Sequence, residues 1–190
     1  MSQVNLKDIL KNDYVKTAVL LFIIIISVFA FWFGLRAALA TEFPLCGVAS
    51  GSMIPTLQVG DLIIVQGVSD ASNIEAAPKY ASNPGDIIVF YNPKSYKDPN
   101  DLIVHRAINK TCDEGEGKWY FDTQGDANPG PDNWDVPEDF VVGKVVFFRI
   151  PLVGFITFLM RTPAAILVVL PPLILLVMDW IPFFKKQDKS

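Results

Sequence analysis

The chain has 190 residues, of which 51% are hydrophobic and 19% are charged, and its formal net charge is −4. Soluble domains carry about 25% charged residues, so this composition excludes a free cytosolic enzyme, intrinsic disorder and a collagen-like or coiled-coil rod. The excess of acidic residues also argues against a nucleic-acid partner, because phosphate binding needs clustered lysine and arginine.

The apolar residues are concentrated towards the two ends of the chain. Residues 17–35 run for 19 positions without a charge, and residues 162–178 run for 17. Both runs approach the roughly 20 residues that span a bilayer core. Lysines precede the first run and follow the second, so the positive-inside rule predicts that both tails are cytoplasmic.

This pattern predicts a chain that crosses a membrane twice around an exported domain. The predicted parts are a cytoplasmic tail at 1–16, a transmembrane signal anchor at 17–40, an extracytoplasmic β domain at 41–162, a second transmembrane segment at 163–184 and a cytoplasmic tail at 185–190.

Each predicted crossing has an alternative. Ala38-Leu39-Ala40 is typical of a signal-peptide cleavage site, but the apolar run before it exceeds the usual 7–15 residues of a cleaved peptide, which favours an uncleaved anchor. The second run contains three prolines. Proline is tolerated in membrane helices, so a kinked span is favoured over a re-entrant or interfacial hairpin.

Between the apolar ends, short β-branched and apolar stretches are bounded by turn residues. They are Leu62–Gln66, Ile87–Tyr91, Leu102–Ala107, Lys118–Asp122 and Val141–Phe148. Strands of this length and spacing, with no long amphipathic helix between them, predict a mainly β fold, a compact antiparallel barrel-like domain. Residues 147–160 are apolar but interrupted by Arg149 and Pro151, and we interpret them as a strand and a short segment against the membrane surface.

Two hydroxyls and one imidazole are candidates for chemistry. Ser50 and Ser52 flank a glycine in residues 48–57 (VASGSMIPTL), and a serine needs an adjacent base to become a nucleophile. His105 is the chain's only histidine, and imidazole suits proton transfer near neutrality. Taken alone, Ser-Gly-Ser is more often a flexible loop, and a lone strand histidine is more often a satisfied surface residue.

Residues 125–132 (GDANPGPD) form a third candidate segment, dense in turn formers and carrying two carboxylates. Either Asp126 or Asp132 could be aimed at an imidazole nitrogen. A calcium loop is disfavoured because the acidic spacing does not match the twelve-residue motif with its terminal glutamate. A zinc site lacks paired ligand spacing, so no metal is predicted.

Taken together, these segments resemble the type I signal peptidases. Residues 50–57 are similar to the nucleophile motif of that family, and Gly60-Asp61, Gly85-Asp86, His105-Arg106 and residues 125–132 follow in the family's order across roughly residues 46–150. Bacterial members carry Lys-Arg where this chain has His105-Arg106, so the histidine resembles the archaeal and endoplasmic-reticulum branch. Ala127 departs from the family's Gly-Asp-Asn.

The resemblance implies a membrane-bound serine endopeptidase that removes signal peptides from exported preproteins by Ser/His/Asp catalysis. It implies cleavage after small residues of the Ala-x-Ala type, with no metal or organic cofactor. The implied residues are Ser52 as nucleophile, His105 as base, Asp132 as its orienting carboxylate with Asp126 as runner-up, Ser50 and Ser52 as oxyanion donors, and Val48, Met53 and Leu57 as substrate-pocket lining.

The implied partners are exported preproteins, the lipid bilayer and the secretion machinery. The sequence favours the plasma membrane of an archaeon over an endoplasmic-reticulum membrane, with the catalytic domain on the extracytoplasmic side. Two alternatives are a non-catalytic membrane-tethered β domain or accessory subunit of a processing complex, and a self-cleaving Ser/Lys protease with Lys110 or Lys144 as base.

Overall fold

A computed structural model describes residues 13–95 and 97–161. These residues form a long helix, α1 (Asp13–Ala38), a mainly β domain and a short helix, α2 (Gly154–Arg161). The strands are β1 (Leu45–Gly47), β2 (Leu62–Gln66), β3 (Ile87–Tyr91), β4 (Leu102–Asp113), β5 (Lys118–Gln124), β6 (Asp135–Pro137) and β7 (Val141–Ile150). One-turn 3-10 helices cover Gly51–Met53, Ala71–Asn73 and Glu138–Phe140.

The strands form one sheet in the order β1-β2-β7-β3-β4-β5-β6. Every neighbouring pair is antiparallel. The prediction of a mainly antiparallel β domain is therefore confirmed. In this order β3 and β4 lie side by side near the middle of the sheet, and β4 carries the candidate residue His105.

The strand bounds agree with the predicted ones where both ends are marked by turn residues, as in β2 and β3. The second half of β4 was missed, because residues 108–113 are mostly exposed and carry no apolar alternation. They are held by backbone pairing with β5, from Asn109 opposite Asp122 to Asp113 opposite Lys118. β1 and β6 have three residues each, too few to leave a periodic signal.

Two clusters of buried side chains form the core. The first contains Cys46, Val48, Met53, Leu57, Ile63, Val65 and Val89. The second contains Ile74, Ile88, Phe90, Ala107, Phe121 and Val136. β3 contributes Val89 to the first cluster and Ile88 and Phe90 to the second, because successive strand residues point to opposite faces of a sheet. Burying one such side chain stabilises the fold by about 1.5–3 kcal/mol.

Helix α1 begins within the predicted cytoplasmic tail and ends at Ala38. Most of its described apolar side chains are exposed, and Phe22 and Phe31 each leave more than 60% of their surface uncovered. Among the residues whose side chains are described, no helix has both the length and the apolar character needed to cross a membrane. The anchor at 17–40 thus stays a prediction, and the predicted segments at 163–184 and 185–190 lie outside the described residues.

The segment at 147–160, predicted as a strand and a short segment, contains the end of β7 and most of α2, and its contact with a membrane surface stays a prediction. Phe155 of α2 lies over Gly60, where an added Cβ would stand 2.1 Å from the Phe155 ring. Gly60 has a φ of +88°, a conformation that favours glycine. The Gly154 N–H donates to the Gly60 carbonyl at 2.9 Å. Helix α2 is therefore seated on the turn that precedes β2.

Candidate active site

Ser52 lies in the 3-10 turn Gly51–Met53. Hydrogen bonds join the two ends of the loop that contains this turn. Met53 is 1% exposed and fixes the turn in the first core cluster. The Val48 N–H donates to the Asp61 carbonyl, and the Gly60 N–H donates back to the Val48 carbonyl, both at 2.9 Å. The Asp61 carboxylate accepts from the Gln58 N–H at 2.9 Å. The Ile54-Pro55 peptide within this loop is cis.

His105 of β4 connects Ser52 to Asp132. Its Nε2 lies 3.2 Å from Ser52 Oγ, and its Nδ1 lies 2.6 Å from Asp132 Oδ2. The His105 and Asp132 side chains are only 9% and 8% exposed, so this hydrogen-bonded pair is largely shielded from water. The imidazole and the Phe90 ring pack in a T-shaped arrangement, with the ring centroids 6.4 Å apart.

Asp126 binds Arg106 instead of His105. Arg106 Nε donates to Asp126 Oδ1 at 2.8 Å and Nη2 donates to Oδ2 at 2.7 Å, a bidentate ion pair. The Thr56 hydroxyl donates to the same Oδ2. Burial raises the pKa of Asp126, but the hydrogen bonds from Arg106 and Thr56 and the charges of Arg106 and Lys79 outweigh it, so the pKa lies below its ordinary value of 3.8.

The alternation of side chains along β4 explains why the two carboxylates have different partners. His105 and Arg106 are consecutive residues of one strand, so they project to opposite faces of the sheet. The loop at residues 125–132 passes from one face to the other. Its first carboxylate meets the arginine, and its second meets the histidine.

This loop is also bonded directly to the Ser52 turn. The Ala127 N–H donates to the Ser52 carbonyl at 2.8 Å. An added Cβ at Gly125 would lie 2.6 Å from that same carbonyl oxygen, so only glycine permits the approach. Lys79 Nζ donates to the carbonyls of Asp126 at 2.8 Å and Asn128 at 3.2 Å. The residue that departs from the Gly-Asp-Asn pattern, Ala127, thus carries one of the bonds between the two segments.

The predicted oxyanion donors are Ser50 and Ser52, and Ser52 is also the predicted nucleophile. Ser50 Oγ is exposed and 3.2 Å from Ser52 Oγ. Ser50 is the N-cap of the 3-10 turn, with extended backbone, and Ser52 follows in the first turn, where N–H groups have no intrahelical partner.

The predicted pocket residues Val48, Met53 and Leu57 are each at most 4% exposed and belong to the first core cluster. Because these side chains are nearly covered, their contact with a substrate stays a prediction. Neither alternative lysine base lies at Ser52. Lys110 Nζ donates to the carbonyls of Ser72 and Ile74, and Lys144 Nζ lies 3.3 Å from Asp86 Oδ2.

A hydroxyl, an imidazole and a carboxylate arranged in this order can carry out nucleophilic acyl transfer. The imidazole removes the hydroxyl proton through one nitrogen while the carboxylate holds the other nitrogen. Sequence reasoning did not assign roles to Arg106 or Lys79, which hold the 125–132 loop in place. Arg106 had a usable signal, because it adjoins the only histidine on a predicted strand.

Comparisons with known proteins identify similar chains. The family described as "Signal peptidase, peptidase S26" matches residues 13–114. The signal peptidase complex catalytic subunit SEC11 of Lachancea thermotolerans is 32% identical over 142 residues, which cover 69% of this chain and 74% of that protein.

Two further relatives give the same result. The signal peptidase complex catalytic subunit SEC11 of Colletotrichum graminicola is 32% identical over 145 residues, covering 73% of this chain and 76% of that protein. The signal peptidase complex catalytic subunit SEC11C of Homo sapiens is 33% identical over 146 residues, covering 73% of this chain and 68% of that protein. The aligned parts therefore extend over most of both chains.

Proposed function

The chain belongs to the signal peptidase family, peptidase S26, and from this membership we infer that it is a serine endopeptidase that removes signal peptides from preproteins. The similarity to signal peptidase complex catalytic subunits, found in two fungi and in human, supports this function. The order and spacing of Ser52, His105 and Asp132 agree with it. A non-catalytic β domain would not need these three groups to be in contact.

In the proposed acylation step, Ser52 Oγ attacks the carbonyl carbon of the scissile bond. His105 Nε2 takes the hydroxyl proton and then delivers it to the leaving amine as the C–N bond breaks. The product is an ester between the signal peptide and Ser52, together with a free amine on the mature protein. Asp132 holds the imidazole through Nδ1 and stabilises the positive charge that the ring acquires.

In the proposed deacylation step, water attacks the ester carbon and gives a proton to His105. The ester bond then breaks, and the proton returns to Ser52 Oγ. The signal peptide leaves as a carboxylic acid. The Ser52 N–H and the Ser50 hydroxyl are proposed to stabilise the oxyanion in both steps, and the loss of one such donor typically costs about 3–4 kcal/mol.

We further propose that the substrate binds in an extended conformation at a strand edge, through main-chain hydrogen bonds. Cleavage after small residues of the Ala-x-Ala type would follow if Val48, Met53 and Leu57 form a shallow floor. Their near-complete burial supports such a floor, because little apolar area is left open for a large side chain.

The enzyme is proposed to act at a membrane, with the catalytic domain on the extracytoplasmic side and other subunits as partners. The exposed aromatic side chains of α1 support this location, because large exposed apolar surfaces mark membrane or protein contacts. The similarity to fungal and human subunits does not support the archaeal plasma membrane that the sequence favoured. We therefore propose a membrane of the endoplasmic-reticulum type.

The observation that carries the proposed chemistry is the pair of contacts made by one imidazole, at 3.2 Å to Ser52 and at 2.6 Å to Asp132. The test is cleavage of a radiolabelled preprotein by the purified full chain in detergent, with N-terminal sequencing of the product. Ser52→Ala should abolish cleavage, by a factor on the order of 10⁶ in kcat.

The matched control is Ser69→Ala, an exposed serine in the loop that follows β2. This control should cleave at the wild-type rate. Full processing by Ser52→Ala would contradict the proposal, as would equal losses in both variants.

A further inference from the structure

We infer that Thr123 is a positioning residue that holds the Asp132 carboxylate against the His105 ring. The inference rests on the proposed roles of His105 and Asp132, and it adds a further side chain to them. Thr123 lies on β5 and is 0% exposed. A buried hydroxyl is expected to have a hydrogen-bond partner, and the partner of this one is Asp132.

The register of the sheet brings Thr123 to the histidine face. Thr123 lies opposite Ala107 of β4, and directly opposite residues of an antiparallel pair project to the same side. His105 is two residues before Ala107 and shares that side. The Asp132 carboxylate is therefore placed over a surface to which β4 contributes the imidazole and β5 contributes the hydroxyl.

Both donors bind the same carboxylate oxygen. Thr123 Oγ1 lies 2.7 Å from Asp132 Oδ2, the atom that lies 2.6 Å from His105 Nδ1. An ionised carboxylate only accepts hydrogen bonds, so the threonine hydroxyl and Nδ1–H both donate to it. In the neutral imidazole, Nε2 is then left without a proton and can accept one from Ser52.

The backbone adds a second connection between the same two residues. The Asp132 N–H donates to the Thr123 carbonyl at 2.8 Å, which fixes the main chain of Asp132 beside β5. With the main chain fixed, the remaining freedom of the carboxylate is rotation about its side-chain bonds. The Thr123 hydroxyl restricts this rotation, because turning Oδ2 away from the histidine also breaks the threonine bond.

A role in packing alone makes a different prediction from a role in positioning. Thr123→Val keeps the branched shape and removes the hydroxyl, whereas Thr123→Ser keeps the hydroxyl and removes the methyl group. If the hydroxyl positions Asp132, the valine variant loses activity and the serine variant keeps it. If Thr123 only fills space, the serine variant has the lower melting temperature and the valine variant cleaves normally.

The kinetic test measures preprotein cleavage by the two variants and the wild type in detergent. Thr123→Val should lower kcat by about 10- to 100-fold, the cost of a small misplacement of a catalytic group. Its KM should stay within about twofold of the wild type, because the lost contact acts on the reacting groups and not on substrate binding. Thr123→Ser should recover most of the rate. Equal rates for Thr123→Val and the wild type, or equal losses in both variants, would overturn the inference.

A spectroscopic test needs no turnover. His105 is the only histidine in the chain, so ¹⁵N-histidine labelling of the full chain gives ring-nitrogen signals from one residue. At a pH where the ring is neutral, the wild type should show a protonated Nδ1 and an unprotonated Nε2. Thr123→Val should broaden these signals or mix the two tautomers, and Thr123→Ser should not.

Unchanged ring signals in Thr123→Val would overturn the positioning role, whether or not the wild type cleaves preproteins. Failure of the proposed function has a separate signature, which is equal cleavage by the wild type and Ser52→Ala.

Discussion

The two carboxylates of the 125–132 loop have different kinds of partner, although only six positions separate them. Asp132 binds a histidine, whose charge changes with proton transfer. Asp126 binds an arginine, whose charge is permanent. Both carboxylates are nearly buried, with side chains 8% and 5% exposed. Because of this difference in partner, Asp132 is suited to supporting proton transfer by the histidine, and Asp126 is suited to holding the loop in place.

One short loop therefore contributes a carboxylate to the candidate catalytic group and a second carboxylate to a stabilising ion pair. The Asp126 end is fixed by the bidentate pair with Arg106, and by the Lys79 bonds to its main chain. Because the Asp126 end is fixed, the Asp132 end of the loop is held beside His105. Changing each carboxylate to its amide should therefore have a different effect at each end, with a loss of activity at Asp132 and a loss of stability at Asp126.

The largest expected effect is the loss of activity in Asp132→Asn. The amide cannot hold the imidazole in the tautomer that leaves Nε2 free, so kcat should fall by a factor on the order of 10⁴, as the same change does in another Ser-His-Asp protease. The melting temperature should change little, because the shape of the side chain is kept. Preprotein cleavage and circular dichroism on the same sample check both expectations. A rate within tenfold of the wild type would remove Asp132 from the mechanism.

The next effect is a loss of stability in Asp126→Asn. The buried Arg106 guanidinium is left without its charged partner, and breaking one side of a buried ion pair costs about 3–5 kcal/mol. The melting temperature should fall by about 10 °C or more. Thermal unfolding of the full chain in detergent measures the change, with Asp139→Asn as the control, because Asp139 forms an exposed pair with Lys118. Equal shifts in the two variants would show that the Arg106 pair carries no special stability.

The smallest expected effect is the pH dependence of the difference in stability between the wild type and Asp126→Asn. The pKa of Asp126 is lower in the folded chain than its ordinary value of 3.8, so its stabilising contribution is present above that value and is lost as the pH falls through the folded pKa. The stability gap between the wild type and Asp126→Asn should therefore be full at pH 7 and shrink below pH 3.8. Melting temperatures of both proteins across this range test the sign. A gap that widens in acid would contradict it.

Much of the fold could be predicted because its central strands are short apolar runs between turn residues. β2 and β3 have this form. The outer half of β4 could not be predicted, since its side chains are mostly exposed and its strand is held by backbone pairing. Helix α2 could not be predicted as a helix, because Arg149 and Pro151 interrupt the apolar residues before it.

Some residues of the candidate site could also be predicted from the sequence, and others could not. His105 could be selected because it is the only histidine. Ser52 could be selected because residues 50–57 occur together with the other segments that resemble the signal peptidase family. Spacing alone could not assign different partners to Asp126 and Asp132, because the path of the loop decides which side chain each one meets. Thr123 had no signal at all, since threonine is a common strand residue and its role depends on a contact nine positions along the chain.

The division of roles between the two carboxylates is tested most directly by one comparison of Asp132→Asn with Asp126→Asn. The measurement is kcat for preprotein cleavage at equal concentrations of folded enzyme, at a temperature where both variants remain folded. We expect Asp126→Asn to cleave at least about a hundredfold faster than Asp132→Asn, because only Asp132 contacts the imidazole and orients it. Equal rates, or faster cleavage by Asp132→Asn, would contradict it.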